Sequence, residues 1–339
     1  MKVSIWQIVI IMAELLALPY ITKILLDYIK GVHLRKGIKG IDIHKPWKPE
    51  IPEACGLTIL LMIIIATIPL LLLSNIDPLK IVVFIMVVGF NGTIGLLDDL
   101  YVLSARLKVV IPALSSIPLI VFSQYTPRPI LPLVGGLRIT IVYLLLLPLA
   151  LSIAVNVMNM ADTHNGILPS TSLIVAITLA AASLISYLKG LCDLTGFYLS
   201  LITIAILVGY TPYNLYPARI FNGDVGSFTL GSILALIAIY SRTEMLLIIA
   251  LTPHILNALN ILISIGGFKE RREIGKRPVI VDENGYISVN PDPRAPITLP
   301  HILALNGKIK EVEIYITYII LTTISCIVGL IFHVLALLS

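Results

Sequence analysis

The chain has 339 residues, 58% of them hydrophobic and 13% charged, with a mean hydropathy of +0.99; a water-soluble domain carries about 25% charged residues. That composition excludes a soluble globular protein, a disordered chain, a collagen-like fibre and a secreted disulfide scaffold. The net charge of +5 would point to nucleic acid in a soluble protein, but between apolar runs it reports topology, so no nucleic-acid partner is expected.

Apolar runs at about 3–26, 55–74, 79–97, 109–124, 139–157, 167–187, 194–210, 226–240, 244–263 and 313–336 approach the length that crosses hydrocarbon about 30 Å thick. They predict an all-α polytopic membrane protein of about ten transmembrane helices, forming a single integral membrane domain over 1–339. The first run is too long for a signal-peptide core and has no small-residue cleavage site, so it is expected to be retained as a span. Turn chemistry separates the runs at Asn75-Ile76-Asp77-Pro78, Pro127-Arg128-Pro129, Gly135-Gly136 and Thr211-Pro212. Connections 27–53, 98–108, 158–166, 211–225 and 264–312 fall on one side and hold 17 Lys and Arg, against six on the other. This bias predicts that those five loops face the cytoplasm and that both termini lie opposite. The membrane would be the cell membrane of a prokaryote or the endoplasmic reticulum of a eukaryote. In the last loop, Val279-Ile280-Val281 and Tyr286-Ile287-Ser288-Val289 flank Asp282-Glu283-Asn284-Gly285, which predicts a short β-hairpin. Cys55, Cys192 and Cys326 lie far apart and are read as apolar fillers, not as a zinc or disulfide framework.

Three polar clusters fall on the predicted cytoplasmic side. Asp98-Asp99, followed by Lys108, pairs two carboxylates that repel unless a cation or proton separates them; the alternative is an ordinary acidic helix end. Asn156, Asn159, Asp162 and Asn165-Gly166 offer oxygen donors suited to a hard cation such as Mg2+, or a polar turn whose side chains cap backbone groups. Asn222-Gly223-Asp224 opens the eighth run, where a carboxylate could complete a metal site or the segment could simply start a helix. That all three share one face, assigned from other residues, favours a common site. Carboxylates for Mg2+, cations for phosphate oxygens and adjacent lipid together suggest phosphoryl transfer between a soluble nucleotide and a lipid phosphate.

These residues resemble the polyprenyl-phosphate N-acetylhexosamine-1-phosphate transferases, and more closely the eukaryotic and archaeal branch that uses UDP-GlcNAc and dolichyl phosphate. The resemblance runs through Gly40, Asp42, Lys45, Ile51-Pro52-Glu53 and Gly56, then Asp98-Asp99 with Lys108 and Pro112, then Asn156, Asn159 and Asn165-Gly166. It ends in Tyr216-Pro217, Arg219, Phe221 and Gly223-Asp224. It implies that GlcNAc-1-phosphate moves from UDP-GlcNAc to dolichyl or another polyprenyl phosphate with release of UMP, opening lipid-linked oligosaccharide synthesis for protein N-glycosylation. It also implies Asn159 and Asp224 as Mg2+ ligands, Asp98, Asp99 and Lys108 at the reacting centre, and Glu53, Lys108, Asn165 and Arg277 as substrate contacts. Two departures stand out: Lys276-Arg277-Pro278 lacks the family's histidine, with His301 following Pro300 instead, and Gly166 is followed by Ile167-Leu168 in place of an acidic residue.

Other polar residues in the spans have plainer readings. His254, Asn257 and Asn260 suit interhelical hydrogen bonds, and His333 an interfacial anchor. Glu14, inside the first run, is either a paired, protonated carboxyl or a contact to a second copy in a homodimer. Rival functions are the same reaction on another UDP-amino sugar or phospho-MurNAc-pentapeptide, and an ion-coupled transporter. A transporter would use Asp98, Asp99 and Asp224 as ion-coupling carboxylates near the bilayer midplane, with repeat symmetry; here they fall at span ends and no repeat is visible.

Overall fold

The computed structural model describes residues 5–73, 76–131, 134–269 and 271–338, without the side chains of Ile5, Ile8, Arg271 and Arg272. The expected turn residue Asn75 lies outside them. In chain order, α1 (Ile5–Lys36) leads through β1 (Lys39–Ile41) and β2 (Glu50–Pro52) to α2 (Leu57–Thr67), then α3 (Pro78–Tyr101), α4 (Ala105–Leu114) and α5 (Ile117–Val121). A small ribbon, β3 (Ile130–Leu131) with β4 (Gly135–Gly136), precedes α6 (Thr140–Ala161), α7 (Ile167–Leu188), α8 (Thr195–Asn214) and α9 (Gly223–Ser241). The chain closes with α10 (Glu244–Ala250), α11 (Thr252–Ile265), α12 (Arg271–Ile274), β5 (Val279–Val281), β6 (Tyr286–Val289), α13 (Leu299–Leu303), β7 (Ile309–Lys310) and α14 (Glu311–Ala336).

Every predicted apolar run contains helix, but long helices alone do not confirm the expected about ten transmembrane helices. Among the described residues, seven helices (α1, α3, α6, α7, α8, α9 and α14) are long and apolar enough to cross a membrane, and α10 with α11 adds an eighth only if their 64° bend is counted within one span. Proline and serine explain the shortfall. Pro69 converts the end of the second run into a 3-10 turn over Ile68–Leu72. The fourth run breaks between α4 and α5 at Ser115-Ser116, where the Ser115 hydroxyl bonds the Pro112 carbonyl at 2.6 Å and Pro118 opens the next helix.

Glycine decides how the helices meet. Helix α9 is buried from Val225 to Ser241 and packs between α3 and α6. A Cβ on Gly95 would stand 2.5 Å from the Asp224 carbonyl oxygen, and one on Gly56 2.2 Å from Gly226 Cα, so these backbones touch only because the side chains are missing. Helix α1 is peripheral; Leu16, Tyr20 and Ile24 are exposed along it, as lipid-facing residues are. At one end of the bundle α1, α3, α6, α8 and α11 finish and α2, α4, α7, α9 and α14 begin. Cys55 N to Phe221 O (3.0 Å), Gly56 N to Asn222 O (2.8 Å) and Gly166 N to Asn214 Oδ1 (3.1 Å) stitch that end. The opposite end is tied by Lys80–Asp193 (2.7 Å) and by Arg242 to the Arg128 carbonyl (2.6 Å).

The predicted hairpin forms with Val279 opposite Val289 and Val281 opposite Ile287, closed by Gly285 at φ 78°. It gains a third strand, β7, against β6, and packs on Ala161, Ile167, Ile314 and Tyr318. The β1–β2 pair in the first loop had not been expected. His254 and Asn257 bridge helices as read, to Thr171 Oγ1 (3.0 Å) and the Met160 carbonyl (2.9 Å). His333 corrects the anchor reading, because it is buried against Ser186 Oγ at 3.0 Å. The cysteines are free, Cys55 and Cys326 buried and Cys192 half-buried.

Candidate active site

Helix α3 ends in the two carboxylates, and its last turn gives them different work. Asp98 is buried; its Oδ1 accepts the Leu103 N–H at 2.6 Å and its Oδ2 lies 2.6 Å from Lys108 Nζ. Thus Asp98 fixes both the turn into α4 and the lysine that α4 carries. Asp99 accepts from the Asp224 N–H at 2.7 Å and the Val225 N–H at 3.0 Å. Asn222, which precedes α9, makes no side-chain cap, so Asp99 supplies one from another helix. Gly223, at φ 70°, has no room for a side chain there; a Cβ would lie 2.4 Å from Asp99 Oδ2.

Lys108 is shared by two carboxylates, since its Nζ also lies 3.2 Å from Asp224 Oδ2. The other Asp224 oxygen accepts from Asn159 Nδ2 at 2.7 Å, and the same amide reaches Ser227 Oγ at 3.0 Å. Asn156, one turn before Asn159 on α6, bonds the Lys108 carbonyl at 3.0 Å. Asp98, Lys108, Asn159 and Asp224, from four helices, therefore form one cluster. The Asp224 carboxylate and the Asn159 carbonyl oxygen are donors of the type a hard cation takes, and would be the residues to hold one here. Mg2+ bound there would offset charge on a pyrophosphate.

Around the cluster opens a cavity of about 790 Å³, lined by Glu53, Asp99, Lys108, Asn159, Asn165, Asp224 and Arg277 among others. Glu53 hangs into it beside Gly40, and an added Gly40 Cβ would be 3.3 Å from Glu53 Oε2. One wall is apolar, built by Ile261, Leu262, Ile265 and Phe268. Another carries Lys269, Lys276 and Arg277, with Lys276 paired to Asp292 at 2.8 Å. Arg277 is exposed at the rim, its carbonyl held by Asn290 Nδ2 at 2.7 Å. His301 does not replace the family histidine as a free side chain, because its Nδ1 is 2.9 Å from the Pro278 carbonyl. Asp162 also faces the cavity, accepting from Asn222 Nδ2 at 2.9 Å. Burial pushes its carboxyl up to about 7, with Asp99 adding repulsion and the Asn222 bond pulling the other way.

Asn165 is tied into a buried network. Its Nδ2 bonds Asp42 Oδ2 at 3.0 Å and Glu311 Oε1 at 2.7 Å, and its Oδ1 accepts from the Ala218 N–H at 3.2 Å. Lys45 joins Asp42 at 3.0 Å and also Glu311, all three side chains being buried. Glu311 escaped the sequence reading because it looked like an ordinary acidic first turn of the last span. Its one available signal was Asp42 and Lys45 in a distant loop, a charged pair with no hint of burial.

Residues 79–242 match the family described as glycosyl transferase family 4, a stretch that contains Asp98, Asp99, Lys108, Asn159, Asn165 and Asp224 but not Glu53, Arg277 or Glu311. Over 87% of its length the chain is 29% identical to 87% of a Sulfolobus acidocaldarius protein provisionally named UDP-N-acetylglucosamine–dolichyl-phosphate N-acetylglucosaminephosphotransferase. A Saccharolobus solfataricus protein with the same provisional name is 28% identical over 88% of this chain and 91% of its own length. A phospho-N-acetylmuramoyl-pentapeptide-transferase of Shouchella clausii is 28% identical over 66% of this chain and 70% of its own.

Proposed function

We propose, from the premise that this chain belongs to glycosyl transferase family 4 through residues 79–242, that it transfers GlcNAc-1-phosphate from UDP-GlcNAc to dolichyl or another polyprenyl phosphate. A phosphate oxygen of the lipid attacks the sugar-bearing phosphorus of the donor, the bond to the other phosphorus breaks, and UMP leaves with the bridging oxygen. The product is a lipid-linked pyrophosphate sugar, the first intermediate of an oligosaccharide for protein N-glycosylation. The observation that carries the reading is Lys108 held between Asp98 and Asp224 with Asn159 alongside, at the edge of the apolar bundle where soluble donor and membrane lipid can meet.

The parts divide the work by geometry. Lys108 is placed to meet the donor's pyrophosphate, with Glu53, Asn165 and Arg277 at other walls of the cavity. Asp224 and Asn159 are the residues for Mg2+, which supplies charge neutralisation when bound. Asp98 binds the Leu103 N–H and Lys108, and Asp99 the Asp224 and Val225 N–H groups, so these carboxylates act by holding Lys108 and α9 in place. A lipid phosphate is largely ionised at neutral pH, which leaves little for a base to do. The apolar wall on α11 gives the polyprenyl chain a sideways approach.

The alternation of helix ends supports ten membrane crossings, with α2 and its 3-10 turn, α4 with α5, and α10 with α11 as the irregular ones. The basic loops then put the cavity in the cytoplasm and both termini opposite; association as a homodimer belongs to the same proposal. Similarity to the Shouchella clausii protein favours a second reading, the same transfer with phospho-MurNAc-pentapeptide. Purified protein incubated with polyprenyl phosphate, Mg2+ and a panel of UDP-sugars decides between them. UMP and a lipid pyrophosphate from UDP-GlcNAc alone support the first reading, product from UDP-MurNAc-pentapeptide alone the second, and no UMP from any donor contradicts both.

A further inference from the structure

A hollow of about 290 Å³ lies between α1 and α8 and shares no lining residue with the candidate active site. Glycine sets its floor: a Cβ on Gly209 would stand 2.4 Å from the Pro19 carbonyl oxygen, so the two backbones touch and the groove opens outward beside them. Tyr20 and Val208, inside the apolar runs of the two helices, border it and are exposed, as lipid-facing residues are. Lys23, in the last turn of the first run, and Arg219, beyond the end of α8, border it too, and both are exposed. The groove is therefore apolar along the helices and cationic where they reach the end of the bundle that carries the active site. A cation at such a boundary commonly does no more than reach for water, but Arg219 is built in place. Its backbone N–H bonds the Tyr213 carbonyl at 2.8 Å, its guanidinium lies 4.4 Å from the Tyr213 ring centroid, and one Nη donates to the Pro212 carbonyl at 3.1 Å. That arrangement occupies one face of the guanidinium and one N–H and leaves its other donors for an oxyanion. The Tyr213 hydroxyl donates to Asp27 Oδ2 at 2.9 Å, and Lys30 Nζ sits 5.8 Å from the same ring. Lys23, Lys30 and Arg219 thus set three cations against the single carboxylate of Asp27 around Tyr213 and the groove it borders.

We propose that this groove holds an anionic membrane phospholipid, its headgroup phosphate bridged between Lys23 of α1 and Arg219 of the segment after α8, and its hydrocarbon chains lying along Tyr20 and Val208. Charge complementarity selects the occupant. The excess of cations attracts a net anionic headgroup, whereas a zwitterionic one brings a cation of its own against them. The lipid is a resident and not the acceptor of the transfer, because the groove touches none of Asp98, Lys108, Asn159 and Asp224. Its phosphate would tie peripheral α1 to α8 at the level where the helices leave the hydrocarbon. The inference rests on the membrane placement proposed above, with this end of the bundle at the cytoplasmic boundary, and not on the reaction.

The test is native mass spectrometry of the purified full-length protein in neutral detergent, titrated with phosphatidylglycerol or with phosphatidylcholine of the same chains. Wild type is expected to prefer phosphatidylglycerol by about tenfold or more, and Lys23→Gln and Arg219→Gln each to lose about fivefold in affinity for it, the worth of one basic residue at an anionic lipid surface. Lys308→Gln, in the exposed hairpin sheet, should bind as wild type does. Equal binding of the two lipids by wild type, or phosphatidylglycerol affinity unmoved in both groove variants, overturns the inference. So does tight binding of polyprenyl phosphate in place of phosphatidylglycerol that Lys23→Gln weakens, since the groove would then serve the acceptor. Should Arg219→Gln not fold, for want of its stack on Tyr213, Lys23→Gln decides alone. UMP release measured on the same preparations keeps the two readings apart. Wild type that turns over yet shows no headgroup preference sinks the inference and leaves the transferase reading standing, and a preference that Lys23→Gln abolishes, without UMP from any donor, does the reverse.

Discussion

Replacing Asp99 by alanine separates a positioning carboxylate from a reacting one. Its two oxygens hold the Asp224 and Val225 N–H groups at 2.7 and 3.0 Å, and the α9 terminus they cap is wedged against Gly95 and Gly56, where water cannot easily substitute. Each bond contributes about 1.5 kcal/mol, so Asp99→Ala should cost about 3 kcal/mol, which lowers the unfolding temperature by roughly 4 °C for a chain of this size. Turnover should fall with it, because Asp224 rides on the loosened turn. Asp99→Asn keeps one acceptor but aims an NH2 group at the second backbone donor, so it should lie close to the alanine variant. Thermal unfolding of detergent-purified protein, run beside a UMP-release assay, reads both quantities. An Asp99→Ala protein that melts with wild type yet makes no UMP would refute the capping role and return Asp99 to the chemistry.

The cluster yields further expectations. Asp224→Ala and Asn159→Ala should abolish Mg2+-dependent turnover in a protein that still extracts and folds, checked by titrating Mg2+ into the release assay; undiminished activity in either would remove it from the metal site. Lys108→Ala leaves Asp98 and Asp224 without their shared cation, so donor KM should rise at least tenfold, and unchanged kinetics would exclude contact with the pyrophosphate. Gly95→Ala forces α3 from α9, since its Cβ would meet the Asp224 carbonyl at 2.5 Å; overpacking of about 1–3 kcal/mol should appear as a lower unfolding temperature. Glu311→Gln removes one of the two carboxylates that neutralise buried Lys45, leaving Asp42, so this variant should be less stable than Asp282→Asn in the exposed hairpin, as thermal unfolding would show.

The sequence carried the helices because hydrophobicity needs only neighbours: each apolar run became helix, and Asp282-Glu283-Asn284-Gly285 marked the hairpin turn. It carried the convergence of Asp98, Lys108, Asn159 and Asp224 because charge bias had put their loops on one side before any contact was known. Span number was less legible, since Pro69 and Ser115-Ser116 shorten helices without reducing hydropathy. The separate duties of Asp98 and Asp99 were hidden too: adjacent residues of one type differ only through the helix each faces, α4 for one and α9 for the other. Glu311 and Asn165 meet across 146 residues, and no local pattern announces such a pairing.

UDP-GlcNAc labelled with phosphorus-32 on the sugar-bearing phosphate tests the central claim most directly, with polyprenyl phosphate, Mg2+ and the purified protein. Transfer of a sugar phosphate predicts that the label enters the organic phase with the lipid while UMP appears unlabelled in water. Label left in water as UDP, with the sugar alone on the lipid, would contradict the account.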